Sequence, residues 1–217
     1  MSEVYSELEA ANSLHPKIKT TIQINEKKNC HFDIVYVLPA SVFVDPYQLQ
    51  DLAPLIGKAT VFGEHDLELP LEKVKEWRGS IVFLRQETTS PVMQVTLPLH
   101  LRYQQPSEHL DKQPITIQAP WAGWTCGGGS DSLWPPIEHE LISSPQVDSS
   151  AIFRRLSNDP TPLILSVPIG KVQDATVVTY GTFVSVVLCT LWIVYAVYLS
   201  VRKRRRLEAK GKRRKSE

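Results

Sequence analysis

The side chains able to do chemistry in this 217-residue chain are scattered, and few stand at a spacing that makes a site. Gly127-Gly-Gly-Ser130 has the composition of a phosphate loop, but no Lys follows to neutralise a phosphate. The elbow that presents a nucleophilic serine needs Gly-x-Ser-x-Gly, and no such run occurs. His139-Glu140 continues as Leu-Ile-Ser, so the second histidine of a helical zinc motif is missing. Cys30-His31 puts two metal-ligand types side by side, yet neighbours on a strand point to opposite faces and share a metal poorly. Asp45 directly before Pro46 reads as a helix N-cap in preference to a general base. Trp121, Trp124 and Trp134 could stack sugars or lipid headgroups, or could pack a loop onto a small β core. Paired glycosidase carboxylates have no local signature to search for. No catalytic, cofactor-binding or metal-ligating residue is assigned on these grounds, and no cofactor is expected.

Charge excludes one partner class. Residues 202–217 carry ten Lys or Arg against two acidic residues, a net +8, while residues 1–201 sum to −7. The overall +1 describes neither part. No basic cluster is visible in the sequence before residue 202, so a nucleic-acid partner is not expected. The basic tail suits anionic membrane lipid instead.

Between Asp174 and Arg202 there is no charged residue. About 20 apolar residues at about 1.5 Å each cross the hydrocarbon core. Backbone groups in lipid must be satisfied within the segment, so residues 175–201 are expected to form one transmembrane helix despite their β-branched content. Cys189 lies inside it, and Gly181, Ser185 and Cys189 share one helical stripe that could contact another span. Arg202-Lys-Arg-Arg-Arg206 follows at once, and the positive-inside rule puts residues 202–217 in the cytosol and the N-terminal domain in the lumen. Residues 1–30 hold no apolar run of seven, so a lumenal domain implies a longer natural N-terminus; tail-first insertion is the other route. Cys30 and Cys126 are the candidates for a lumenal disulfide. The run Arg213-Arg214-Lys215-Ser216-Glu217 is similar to a dibasic endoplasmic-reticulum retrieval signal, and equally to a plain stop-transfer flank.

The elements that would position any site are mostly strands. Residues 1–14 read as a disordered leader. Beyond them a period of two dominates: Ile18, Thr20, Ile22 and Ile24; then Phe32, Ile34, Tyr36 and Leu38, with Val35 and Val37 on the second face. Met93, Val95, Leu97, Leu99, Leu101 and Tyr103 share one face, opposite Gln94, Thr96, Pro98, His100 and Arg102. Pro98 cannot donate to a ladder and marks an edge or bulge. Residues 81–84, 115–117 and 163–169 add further strands. Short helices are expected after Asp45, ended by Pro54, and over Leu71, Val74 and Trp77. The expected architecture is an all-β, sandwich-like domain over residues 15–172, followed by the single C-terminal transmembrane helix.

Three segments carry a family resemblance. Leu38-Pro-Ala-Ser-Val-Phe-Val-Asp-Pro-Tyr-Gln-Leu49 is similar to a Val-Asp-Pro-Tyr segment of the PIG-X family. Leu97-Pro-Leu-His-Leu-Arg-Tyr103, followed by Pro106, is similar to that family's His-x-Arg-Tyr segment, and Val167-Pro-Ile-Gly170 to its Val-Pro-x-Gly. The resemblance implies a non-catalytic endoplasmic-reticulum membrane subunit in glycosylphosphatidylinositol-anchor biosynthesis. Such a subunit stabilises the mannosyltransferase that adds the first mannose on the lumenal side. Its implied partner is a separate multi-span catalytic subunit resembling PIG-M. The alternative is an independent lumenal glycan-acting enzyme, or a sugar-binding membrane receptor, built on the Trp-rich segment. Converging carboxylates or exposed Trp rings would favour that alternative.

Overall fold

A computed structural model describes residues 2–63, 66, 69–74, 78–86, 90–127, 134, 141 and 151–214. The chain divides into two units, one up to Gly170 and one from Lys171 onward. The strands of the first unit are β1 (Glu3–Glu9), β2 (Lys17–Gln23), β3 (His31–Leu38), β4 (Val42–Phe43), β5 (Lys58–Gly63), β6 (Ser80–Gln86), β7 (Val92–Pro98), β8 (His100–Leu101), β9 (Lys112–Ile117), β10 (Trp121–Cys126), β11 (Ile152–Arg155), β12 (Ser157–Asn158) and β13 (Leu163–Pro168). Five form a sheet ordered β11-β10-β3-β6-β5, and four form a sheet ordered β12-β1-β2-β7. Two smaller pairs, β13–β9 and β4–β8, complete the set. The expected all-β, sandwich-like domain is what the residues build.

The alternation explains the packing. Ile18, Ile22, Val95 and Leu97 from the four-stranded sheet meet Phe32, Ile34, Leu38, Val82 and Leu84 from the five-stranded one in a single core. The register keeps like with like: Ile18 faces Leu97 and Ile22 faces Met93 across β2 and β7. Phe32 and Trp124 meet edge to face, with ring centroids 5.0 Å apart. One polar link crosses this core, where Tyr36 Oη and Thr20 Oγ1 lie 2.9 Å apart and Ser6 Oγ donates to Thr20 at 3.1 Å. Burial pushes the Tyr36 phenol far up, against a smaller downward pull from Thr20, so the group stays a neutral hydrogen-bonding hydroxyl. The second face of β3 and β6 is covered as well, by Val35, Ile81, Phe83 and Trp134.

Three expectations are corrected. The expected disordered leader over residues 1–14 is corrected for residues 2–14: Glu3–Glu9 pair along their full length with β2, and Val4 is buried. The acidic residues that suggest disorder are the wet face of a strand, and Lys19 on β2 sits 3.5 Å from Glu7 and 3.7 Å from Glu9. Their inward neighbours Val4, Ser6 and Leu8 are too few and too small to signal a strand on their own. Tyr103 is exposed and Arg102 buried, the reverse of the expected faces. Regular pairing to β2 stops at Pro98, β8 pairs with β4 instead, and the alternation ends after Leu101. In the helices, Asp45 caps α1 (Pro46–Asp51) by accepting from the Tyr47 N–H at 2.8 Å, as its position before proline indicates. Pro54, however, opens a second short helix, α2 (Ala53–Ile56), because proline fits a first turn. The stretch over Leu71 and Val74 holds only a 3₁₀ turn, Leu71–Lys73, and Trp77 lies outside the described residues.

In the second unit, α3 (Ala175–Arg214) runs on well beyond residue 201, so the first part of the basic tail is helical too. By length and composition, Val172–Glu208 is able to cross a membrane. Its hydroxyls suit that setting: Thr179, Ser185 and Thr190 each donate to the carbonyl four residues earlier, at 2.7, 2.8 and 2.8 Å. The stripe residues Gly181, Ser185 and Cys189 lie exposed on this helix. Residues 215–217 of the retrieval-like run lie outside the described residues.

Leu97 is fully buried, whereas Tyr103 is 78% exposed. Truncating Leu97 to Ala should therefore cost about 2–5 kcal/mol. Tyr103→Ala should change stability by no more than about 0.5 kcal/mol. Denaturant titration of both variants checks this; equal effects would refute the inward assignment of the odd positions in β7.

Candidate functional site

The two longest motif segments meet in space. The chain leaves β3 at Leu38, turns through Pro39 and forms β4, which pairs with β8 so that Val42 faces Leu101 and Phe43 faces His100. The His100 imidazole stacks on Phe43 at 5.3 Å between centroids, and the Arg102 guanidinium lies 4.6 Å from the same ring. Arg102 also donates through Nη1 to the Leu69 carbonyl. Gln48, from α1, places Oε1 3.0 Å from His100 Nε2. His15, from the turn before β2, places Nδ1 3.1 Å from His100 Nδ1.

This network favours one protonation state. Neutral His100 with its proton on Nε2 donates to Gln48 and accepts from the His15 Nδ1–H. Burial, and then the nearby charge of His15, hold the His100 pKa below the ordinary histidine value, with Asp45 pulling weakly upward. Phe43, His15, His100 and Tyr103 line a shallow cavity of about 260 Å³ with Leu69 and Arg102. Two polar side chains beside it are engaged, Asp45 in its cap and Gln48 with His100. The rings that these segments leave exposed are Tyr47 and Tyr103.

The third segment joins the second. Val167 is buried on β13, and Gly170 accepts from the Ser107 N–H at 3.0 Å. A side chain at Gly170 would sit 3.8 Å from the Pro106 ring, so that proline and this glycine pack together where the first unit ends.

The remaining sequence candidates fall into structural roles. Cys30 is bonded to Cys126, with Cα atoms 4.9 Å apart, so its sulfur is unavailable as a thiolate ligand. The bridge joins the start of β3 to the end of β10, 96 residues on, and loop entropy alone would make it worth about 4–5 kcal/mol. Trp124 and Trp134 are buried, and Trp121 lies under the Arg155 guanidinium at 4.3 Å. The rings are thus engaged in packing. Residues 128–130, His139 and Glu140 lie outside the described residues.

Sequence reasoning missed the strongest electrostatic feature. Asp33 and Arg85 face each other across β3 and β6, and both are buried. Arg85 donates to both carboxylate oxygens, at 2.8 and 3.0 Å, and Thr125 donates to Oδ2. Trp134 lies 4.7 Å from the guanidinium. The available signal was a charge of each sign inside two strands that are otherwise apolar on both faces. His15 gave no signal, since 85 residues separate it from His100.

A family model described as PIG-X / PBN1 matches residues 11–198, nearly the whole of the strand unit and the apolar helix. The chain belongs to the PIG-X/PBN1 family. Within it, the chain is 26% identical to protein pbn1 of Emericella nidulans over 87% of its own length. It is 29% identical to protein PBN1 of Debaryomyces hansenii over 89%. It is 26% identical over 84% to a human protein named GPI alpha-1,4-mannosyltransferase I, stabilizing subunit, and spans 73% of that protein. It spans under half of the two fungal relatives, 42% and 45%. The segments that resemble PIG-X/PBN1 at the sequence level are thus the ones that the fold brings together at β4, β8, Pro106 and Gly170.

The depressed His100 pKa has a pH consequence. The unfolded chain protonates this histidine near pH 6.5, while the folded chain resists until lower pH. Stability is therefore full above about pH 6.5 and falls as pH drops below it. Denaturation of the full-length chain between about pH 8 and pH 5 should show this slope, and His100→Gln should reduce it. An unchanged slope in the variant would remove His100 as its source.

Proposed function

We propose that this protein is a non-catalytic membrane subunit that stabilises the mannosyltransferase adding the first mannose in glycosylphosphatidylinositol-anchor biosynthesis. The observation that carries the reading is family membership over residues 11–198 together with the human relative's name as a stabilizing subunit. The geometry supports it, because the family-like segments are engaged in strand pairing, a helix cap and a histidine network. The partner in this reading is a multi-span catalytic subunit resembling PIG-M, in the endoplasmic-reticulum membrane. Loss of this chain should lower the steady-state amount of that partner, and affinity capture of this chain should recover it from detergent-solubilised membranes. A partner whose abundance is indifferent to the chain, and which is not recovered, would overturn the proposal.

In the same reading the strand unit is lumenal and the basic end of α3 cytosolic. The Cys30–Cys126 bridge supports this, since disulfides persist in oxidising compartments. The charge step at Arg202 supports it independently. In intact microsomes, protease should remove a C-terminal tag and spare an N-terminal one. The opposite pattern would reverse the topology.

A further inference from the structure

A second cavity, of about 460 Å³, lies at the other end of β3, away from the motif cluster in sequence and in its lining. Its size is within the roughly 300–1,000 Å³ of small-ligand sites. Three lysines line it: Lys27 and Lys28 from the turn between β2 and β3, and Lys58 from the first position of β5. Phe32 and Trp124, both buried, give it an aromatic base, and Gln86 adds an amide. Among the described residues, no Asp or Glu lines it.

The fold brings Lys58 to the same cavity as the adjacent pair Lys27 and Lys28. Lys58 faces Arg85 across β5 and β6, and Arg85 faces Asp33 across β6 and β3. Asp33, the nearest carboxylate in that ladder, is spent on Arg85 and Thr125 and is fully buried. Three lysines therefore line one concavity, in a stretch of chain whose net charge is −7. Like charges held together repel unless an anion offsets them. Lysine suits phosphate as a strongly hydrated point charge with three donors, and several together neutralise an anion that one exposed lysine binds only weakly.

We propose that this cavity binds a phosphate-class anion, a phosphomonoester or phosphodiester on a small polar body, with Lys27, Lys28 and Lys58 as its neutralising ligands. The site is separate from the stabilising role above and stands or falls without it. The same chemistry is offered by a soluble phosphoester and by an anionic phospholipid headgroup.

The test uses the full-length chain in phosphatidylcholine nanodiscs. Glycerol 3-phosphate and water-soluble dioctanoyl-phosphatidylinositol are titrated calorimetrically, with glycerol and dioctanoyl-phosphatidylcholine as controls. At least one anionic probe should bind saturably, and Lys27→Gln/Lys28→Gln/Lys58→Gln should weaken it by about tenfold or more, the loss expected from removing charge-assisted hydrogen bonds. The basic end of α3 is unchanged in that variant, so the difference reads the cavity alone. Lysine-dependent binding of glycerol 3-phosphate identifies a soluble phosphoester site; lysine-dependent binding of the lipid only identifies a headgroup site. Should the triple variant fail to fold, Lys58→Glu alone must abolish binding while Lys58→Arg retains it. Binding of neither probe, or binding that the lysine substitutions leave unchanged, would overturn the proposal.

Discussion

Strand β3 is buried on both faces, and the rest of the domain follows from that constraint. A strand with two covered faces must find apolar partners on each side, and every polar group it carries must be satisfied without water. One face meets the four-stranded sheet, the other meets Trp134 and its neighbours on β6. Asp33, near the start of this strand, is the most demanding group. Its two oxygens are taken by a bidentate arginine directly across the ladder and by a threonine from the strand on the other side. Taking away one member of such a pair typically costs about 3–5 kcal/mol, because a charge is left buried alone. The pair also discriminates register. A one-residue slip of β6 against β3 would turn Arg85 to the apolar core and leave Asp33 unpaired.

The same central position explains where the disulfide and the two cavities lie. Cys30 precedes β3 and Cys126 ends its neighbour β10, so the bridge pins the strand pair at the end where the 24–30 turn enters. That turn also brings Lys27 and Lys28 to the lysine-lined cavity. At its other end β3 hands over to β4 and the Asp45-capped helix, which bring Phe43 and Gln48 to His100. The two ends of one strand thus differ in character: a histidine and aromatic network lies at one and a lysine-lined cavity at the other.

An accessory subunit, the role proposed above, has different physical needs from an enzyme. It must hold a surface in one shape and stay in the membrane, and neither task needs a reactive group. The side chains that would be reactive elsewhere are tied down here. Cys30 is oxidised, Asp45 caps a helix, Asp33 is paired, and Tyr36 is held neutral by burial. In the apolar helix, the Thr179, Ser185 and Thr190 hydroxyls bond back to the preceding turn.

By itself the sequence determined the features that rest on local periodicity and composition. The alternation of Met93 to Leu101, the double-faced run from Phe32 to Leu38, the Asp45-Pro46 cap and the uncharged stretch before Arg202 were all legible, because each is specified by neighbours within one element. The three family-like segments were legible as patterns, though not as contacts. Tertiary structure alone decided the rest, because it depends on which distant strands pair. Glu3–Glu9 became a strand only because Lys19 and the β2 edge stood opposite it. Arg102 was drawn inward because Phe43 and the Leu69 carbonyl lay beside it. His15 met His100 across 85 residues, and Lys58 came to share one cavity with the adjacent pair Lys27 and Lys28. Charge pairing and concavity are properties of neighbours in space, and the chain order of a β sandwich carries little record of them.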